Sequence, residues 1–97
     1  MSSKKEQDVS IQTAFNNAAS LLEKGNVELA EKQLAEILGR YPEEPNALRL
    51  SGISALQQSK PEVALIPLQK AIRAAPDFAK AHQDLSNAWS QLGELHK

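Results

Sequence analysis

The strongest constraint on this fold is an internal repeat, because the chain resembles itself after a shift of 34 residues. The shift superposes small, apolar and proline positions: Ala30 on Ala64, Leu34 on Leu68, Pro42 on Pro76, Ala18 on Gly52 and Ser86, and Leu21 on Ala55 and Trp89. A fixed period of this length indicates units that bury their apolar faces by stacking on their neighbours. The predicted units are 11–44, 45–78 and an incomplete 79–97.

Turn residues divide each complete unit into two helices. Gly25 and Asn26 separate the first pair, and prolines mark later starts and ends at Pro42, Pro45, Pro61 and Pro76. The predicted helices are 11–24 with Ser10 as N-cap, 27–40, 45–58, one from Pro61 up to Pro76, and 79–92 stopping at Gly93. Pro67 is predicted to bend the fourth helix mildly. Residues 1–10 are predicted to be a disordered tail.

The predicted fold class is therefore all-α, an α-solenoid of antiparallel helix pairs with about five helices: two complete hairpins and the first helix of a third. Aromatic residues make up only 4% of the chain, so we expect a core of small and aliphatic side chains.

The repeated residues resemble the tetratricopeptide repeat family. The resemblance is closest in the second unit, which carries Leu48, Ser51, Gly52, Ala55, Ala64, Leu68, Ala71 and Pro76. It is weaker in the first helix of unit one, and unit three offers His82, Leu85, Ser86, Trp89 and Gly93. The resemblance implies a non-catalytic module that binds a peptide or protein segment in the concave groove lined by the first helices.

That groove is assigned from the inward positions of each first helix. The candidate binding residues are Gln12, Phe15, Leu22, Asn46, Arg49, Ile53, Leu56, Lys80, Gln83 and Asn87. The groove would be apolar toward its N-terminal side and rich in amide groups toward its C-terminal side. This composition favours a ligand with an apolar anchor and accessible backbone groups. The alternative is that Phe15 and Ile53 only pack against each other or against the N-terminal tail.

One subfamily of these repeats binds the C-terminal tails of chaperones through a carboxylate clamp. The equivalent positions here are Phe15, Ala19, Leu50, Lys80 and Asp84, of which only Lys80 matches. Asp84 would repel a carboxylate. Chaperone tails are therefore not expected as partners.

Two other functions remain open from the sequence. The run from Gly52 to Gly93 resembles tetratricopeptide segments that precede bacterial sulfotransferase-like domains, which would make the chain an assembly or spacer segment of a larger bacterial protein. Alternatively, Leu85, Trp89 and Leu92 lie on a helix without a following partner and could mediate homodimerisation. Trp89 itself aligns with Leu21 and Ala55, which favours a core position.

Composition and charge exclude several other classes of function. The net charge of −1 provides no basic surface for nucleic acid or an anionic membrane. The chain has no cysteine and neither a long apolar segment nor a signal-peptide pattern, so a cytoplasmic location is expected. His82 and His96 lie near opposite ends of one predicted helix and cannot share a metal; His82 is predicted to pack at a hairpin interface. No motif for catalysis or for a cofactor is present, so an enzyme is not expected.

Overall fold

The computed structural model describes residues 3–95, with the side chains of residues 11–94, and it contains five α-helices. They are α1 (Ser3–Glu23), α2 (Val27–Arg40), α3 (Pro45–Gln57), α4 (Pro61–Ala74) and α5 (Ala79–Leu95). No strand occurs over this range. The predicted all-α helical-repeat fold is confirmed.

The helix ends set by proline or by the Gly25–Asn26 turn lie within one or two residues of the predicted positions, and α4 continues through Pro67. The predicted start of the first helix and the predicted end of the fifth are wrong. Helix α1 includes Ser3 to Ser10, which we had assigned to a disordered tail with Ser10 as N-cap. No glycine or proline interrupts that segment, so nothing in it stops the helix. Met1 and Ser2 lie outside the described residues.

Helix α5 passes through Gly93, where we had predicted its end. A glycine ends a helix when it adopts the left-handed conformation, and inside a helix it costs only about 1 kcal/mol relative to alanine. Gly25 has the left-handed conformation, with φ of 78°. Gly93 does not, so α5 continues.

The turn inside each hairpin is the same Schellman motif, repeated 34 residues apart. After α1, the N–H of Asn26 donates to the Leu21 carbonyl at 2.8 Å and Gly25 has positive φ. After α3, the N–H of Lys60 donates to the Ala55 carbonyl at 2.9 Å. Here Ser59 takes the position of Gly25, with φ of 60°. The repeat therefore extends to individual backbone hydrogen bonds.

The two helices of each hairpin approach closely because small residues meet leucines. Ala18 and Ala30 are fully buried in one cluster with Leu34. In the second hairpin, a Cβ atom added to Gly52 would lie 2.5 Å from Cγ of Leu68. Leu34 and Leu68 are among the largest fully buried side chains, and they occupy equivalent positions of the repeat.

The first helices form a layer of their own. Helix α3 packs against both α1 and α5, whereas α2 and α4 make no contact with each other within the described residues. Helices α1, α3 and α5 are therefore joined by contacts of their own, as expected if they line one face of the array. The molecule is elongated, with principal extents of 56 × 29 × 18 Å.

Candidate functional site

The residues predicted to line the groove all lie on α1, α3 or α5, but they differ in accessibility. Those whose side chains are exposed are Gln12, Asn46, Lys80, Gln83 and Asn87. Those that are partly buried are Phe15, Arg49, Ile53 and Leu56, while Leu22 is only 4% exposed. We call the five exposed residues the polar row, and Phe15, Ile53 and Leu56 the apolar strip.

The apolar strip belongs to the core as much as to the surface. Phe15 and Ile53 pack against the first core cluster, which contains Leu22. Leu56 packs against the second cluster, between the second hairpin and α5. Phe15, Ile53 and Leu56 are each partly accessible to solvent, whereas Leu22 is buried in the first cluster.

Arg49 and Asp84 form an ion pair across the first-helix layer. The Arg49 Nε atom donates to Asp84 Oδ2 at 2.5 Å, and the side chains are 22% and 14% exposed. The pair joins α3 to α5. Sequence reasoning missed it, although the separation of one period plus one residue could have indicated neighbours on adjacent first helices.

A second polar cluster joins α2 to α3. The hydroxyl of Ser54, which is fully buried, donates to Glu31 Oε2 at 2.8 Å, and Gln58 Nε2 donates to the same oxygen at 2.8 Å. One period later these three positions are apolar: Leu65, Ala88 and Leu92. The equivalent contact between α4 and α5 is therefore made by apolar side chains, including buried Ala88 and Leu65 packed against its cluster.

The residues proposed for self-association do not form one exposed patch. Leu85 is partly buried against the cluster shared with α3 and α4, and Leu92 is also partly buried. Trp89 is 53% exposed, so its predicted core position is wrong. The reason is that no described residue covers this side of α5 as α2 and α4 cover α1 and α3.

The described residues contain no group of three or more His, Cys, Asp or Glu side chains that could hold a metal ion. His82 is exposed rather than packed at an interface, and its Nε2 atom lies 2.8 Å from the Pro76 carbonyl oxygen. His96 lies outside the described residues. Over the described part of the chain, no helix is both long enough and apolar enough to span a membrane.

Comparison with protein-family models matches residues 15–93 to the tetratricopeptide repeat. The chain belongs to the tetratricopeptide repeat family. Repeats of this family generally mediate protein–protein interactions and are typically non-catalytic. Searches of curated proteins and of solved structures found no significant match.

Proposed function

We propose that the concave layer of α1, α3 and α5 binds an extended protein segment that carries an apolar anchor. The observation that supports this is the exposed row of polar side chains on α3 and α5 beside the accessible edges of Phe15, Ile53 and Leu56. The anchor would rest on the apolar strip, and the polar row would hold the backbone on either side of it.

The chemistry of the polar row suits a peptide backbone. The side-chain amides of Asn46, Gln83 and Asn87 each offer two N–H donors and one acceptor oxygen. None of the three makes a side-chain hydrogen bond to another residue in the described range. They can therefore bind backbone C=O and N–H groups without first breaking a contact within the protein.

The charge of the layer favours a segment without a strong net charge. Asp84 neutralises Arg49 within the layer. Lys80 remains exposed four residues before Asp84 and can accept one acidic group near the end of the segment. This supports our expectation that a free carboxylate is not the main determinant of binding.

The test is a selection of displayed random peptides on the wild-type protein, followed by amide chemical-shift mapping of a selected binder. We expect shifts on α1, α3 and α5, and loss of binding on Asn87→Arg. Gln69→Arg, which adds the same charge at an exposed amide residue of α4, is the matched control and should retain binding. Binders whose shifts fall only on α2 and α4, or which ignore Asn87→Arg, would contradict the proposal.

A further inference from the structure

One face of α5 is exposed although its two equivalents in the same chain are covered. His82, Ser86 and Trp89 mark this face, which we name the open face. The equivalent positions in α1 and α3 are buried or partly buried: Ala14, Ala18 and Leu21, and Leu48, Gly52 and Ala55. The molecule thus contains two filled copies of a site that is open in the third unit.

The filled copies define the chemistry of what covers such a face. In both hairpins the covering helix is the second helix, and it presents a buried alanine, a leucine four residues later and an apolar residue three residues after that. These residues are Ala30, Leu34 and Ile37 in α2, and Ala64, Leu68 and Ala71 in α4.

Among the described residues, the two helices of a second folded copy that carry this pattern, α2 and α4, are already occupied. Ala30 and Ala64 are fully buried, and Leu34 and Leu68 are at most 2% exposed, all inside their own hairpins. Presenting them to another molecule would require opening a hairpin. This argues against homodimerisation as the way in which the open face is covered.

We infer that the open face of α5 binds an amphipathic helix of a partner protein. That helix carries a small residue, a leucine four positions later and an apolar residue three positions after that, and it packs on α5 as α2 packs on α1. This surface is distinct from the first-helix layer, and its occupant is a helix rather than an extended segment.

The chain itself supplies the probe, a synthetic peptide of residues 26–44 that contains α2. Helix α2 is preferred to α4 because of the faces that they cover. Helix α1 presents Ala18 and the large Leu21, which resemble Ser86 and Trp89 in size. Helix α3 presents Gly52 and Ala55, which are smaller.

Trp89 reports directly on binding because it is the single tryptophan of the chain and is 53% exposed. Removing an indole ring from water shifts its emission to shorter wavelength. Titration with the 26–44 peptide should give a saturable blue shift of the Trp89 emission. The same peptide with Leu34→Asp should give none, because it would bury a carboxylate between the two helices and remove the leucine that packs there.

Variants of the protein locate the binding site. Ser86→Arg places a charge in the centre of the open face and should weaken peptide binding roughly tenfold or more. Asn87→Arg makes the same change one residue away, on the first-helix layer, and should leave peptide binding unchanged. Both residues are exposed, and thermal melts followed by circular dichroism check that both variants fold like the wild type.

Three results would overturn the inference. The first is no blue shift at millimolar peptide. The second is a shift that survives Ser86→Arg, since the peptide would then be replacing α2 on α1 or binding elsewhere. The third is a blue shift that develops with protein concentration alone, with sedimentation showing a dimer, because a second copy would then cover the face.

Discussion

At the scale of single residues, Ser59 occupies a backbone conformation that favours glycine. Its φ is 60°, and it takes the position that Gly25 fills with φ of 78°. An L-residue pays about 1–2 kcal/mol in this region, partly offset because glycine loses more conformational freedom on folding. We predict that Ser59→Gly raises the free energy of unfolding by about 0.5–1 kcal/mol in urea titrations. Gly25→Ala is the converse change and should lower the free energy of unfolding. A decrease for Ser59→Gly, or an increase for Gly25→Ala, would contradict the argument.

Gly52 is required for a different reason, namely the space that Leu68 occupies. An added Cβ would lie 2.5 Å from Cγ and 2.6 Å from Cδ2 of Leu68, whose side chain is fully buried. Since Cγ is the branch point, the whole side chain must move, and we predict that Gly52→Ala lowers the free energy of unfolding by about 1–3 kcal/mol. Gly93 lies inside α5 with no atom within 4 Å of its added Cβ. Gly93→Ala should therefore raise the free energy of unfolding slightly. If Gly52→Ala and Gly93→Ala both lower it, the cause is the replacement of a helical glycine rather than the contact with Leu68.

At the scale of elements, the contact between α2 and α3 depends on Glu31. Removing its carboxylate in Glu31→Ala leaves the buried Ser54 hydroxyl without its acceptor, and we predict a loss of about 1–3 kcal/mol in the free energy of unfolding. Glu28→Ala, also on α2, is the matched control and should change it much less. The pair Glu31→Leu with Ser54→Ala copies the apolar contact between α4 and α5 and should recover most of the loss. If the double variant instead loses the sum of the two single losses in free energy of unfolding, Glu31 and Ser54 do not stabilise the fold as a pair.

A helix could be predicted from the sequence where residues at its own ends determine where it starts and stops. A proline fixes its own φ and lacks an N–H donor, and Gly25 readily takes the left-handed conformation that ends a helix. For this reason α2 and the starts of α3 and α4 were predictable. The exposure of Trp89 was not predictable, because a repeat assigns a residue to a face but does not supply the helix that covers it. The same limit applies to Leu22, which lies on a groove-facing helix yet is buried by its neighbours.

At the scale of the whole molecule, the candidate site is a property of how the units stack. The repeat predicts which helix carries each site residue, and all of them lie on α1, α3 or α5. It does not predict pairing between units, such as that of Arg49 with Asp84, because side-chain reach across two helices depends on their relative position. The binding use of the layer stays a prediction that the peptide selection tests.

Stacking also determines how the molecule loses structure, because each helix contacts only its neighbours in the array. Leu34→Ala should cost about 2–5 kcal/mol within the first hairpin. Since α5 packs only on α3 and α4 among the described helices, native-state hydrogen exchange should show lost protection in α1 and α2 with α3–α5 less affected. Leu68→Ala removes the equivalent side chain from the central hairpin and should lower protection in all five helices. Uniform loss in Leu34→Ala as well would mean that the array unfolds as one cooperative unit rather than repeat by repeat.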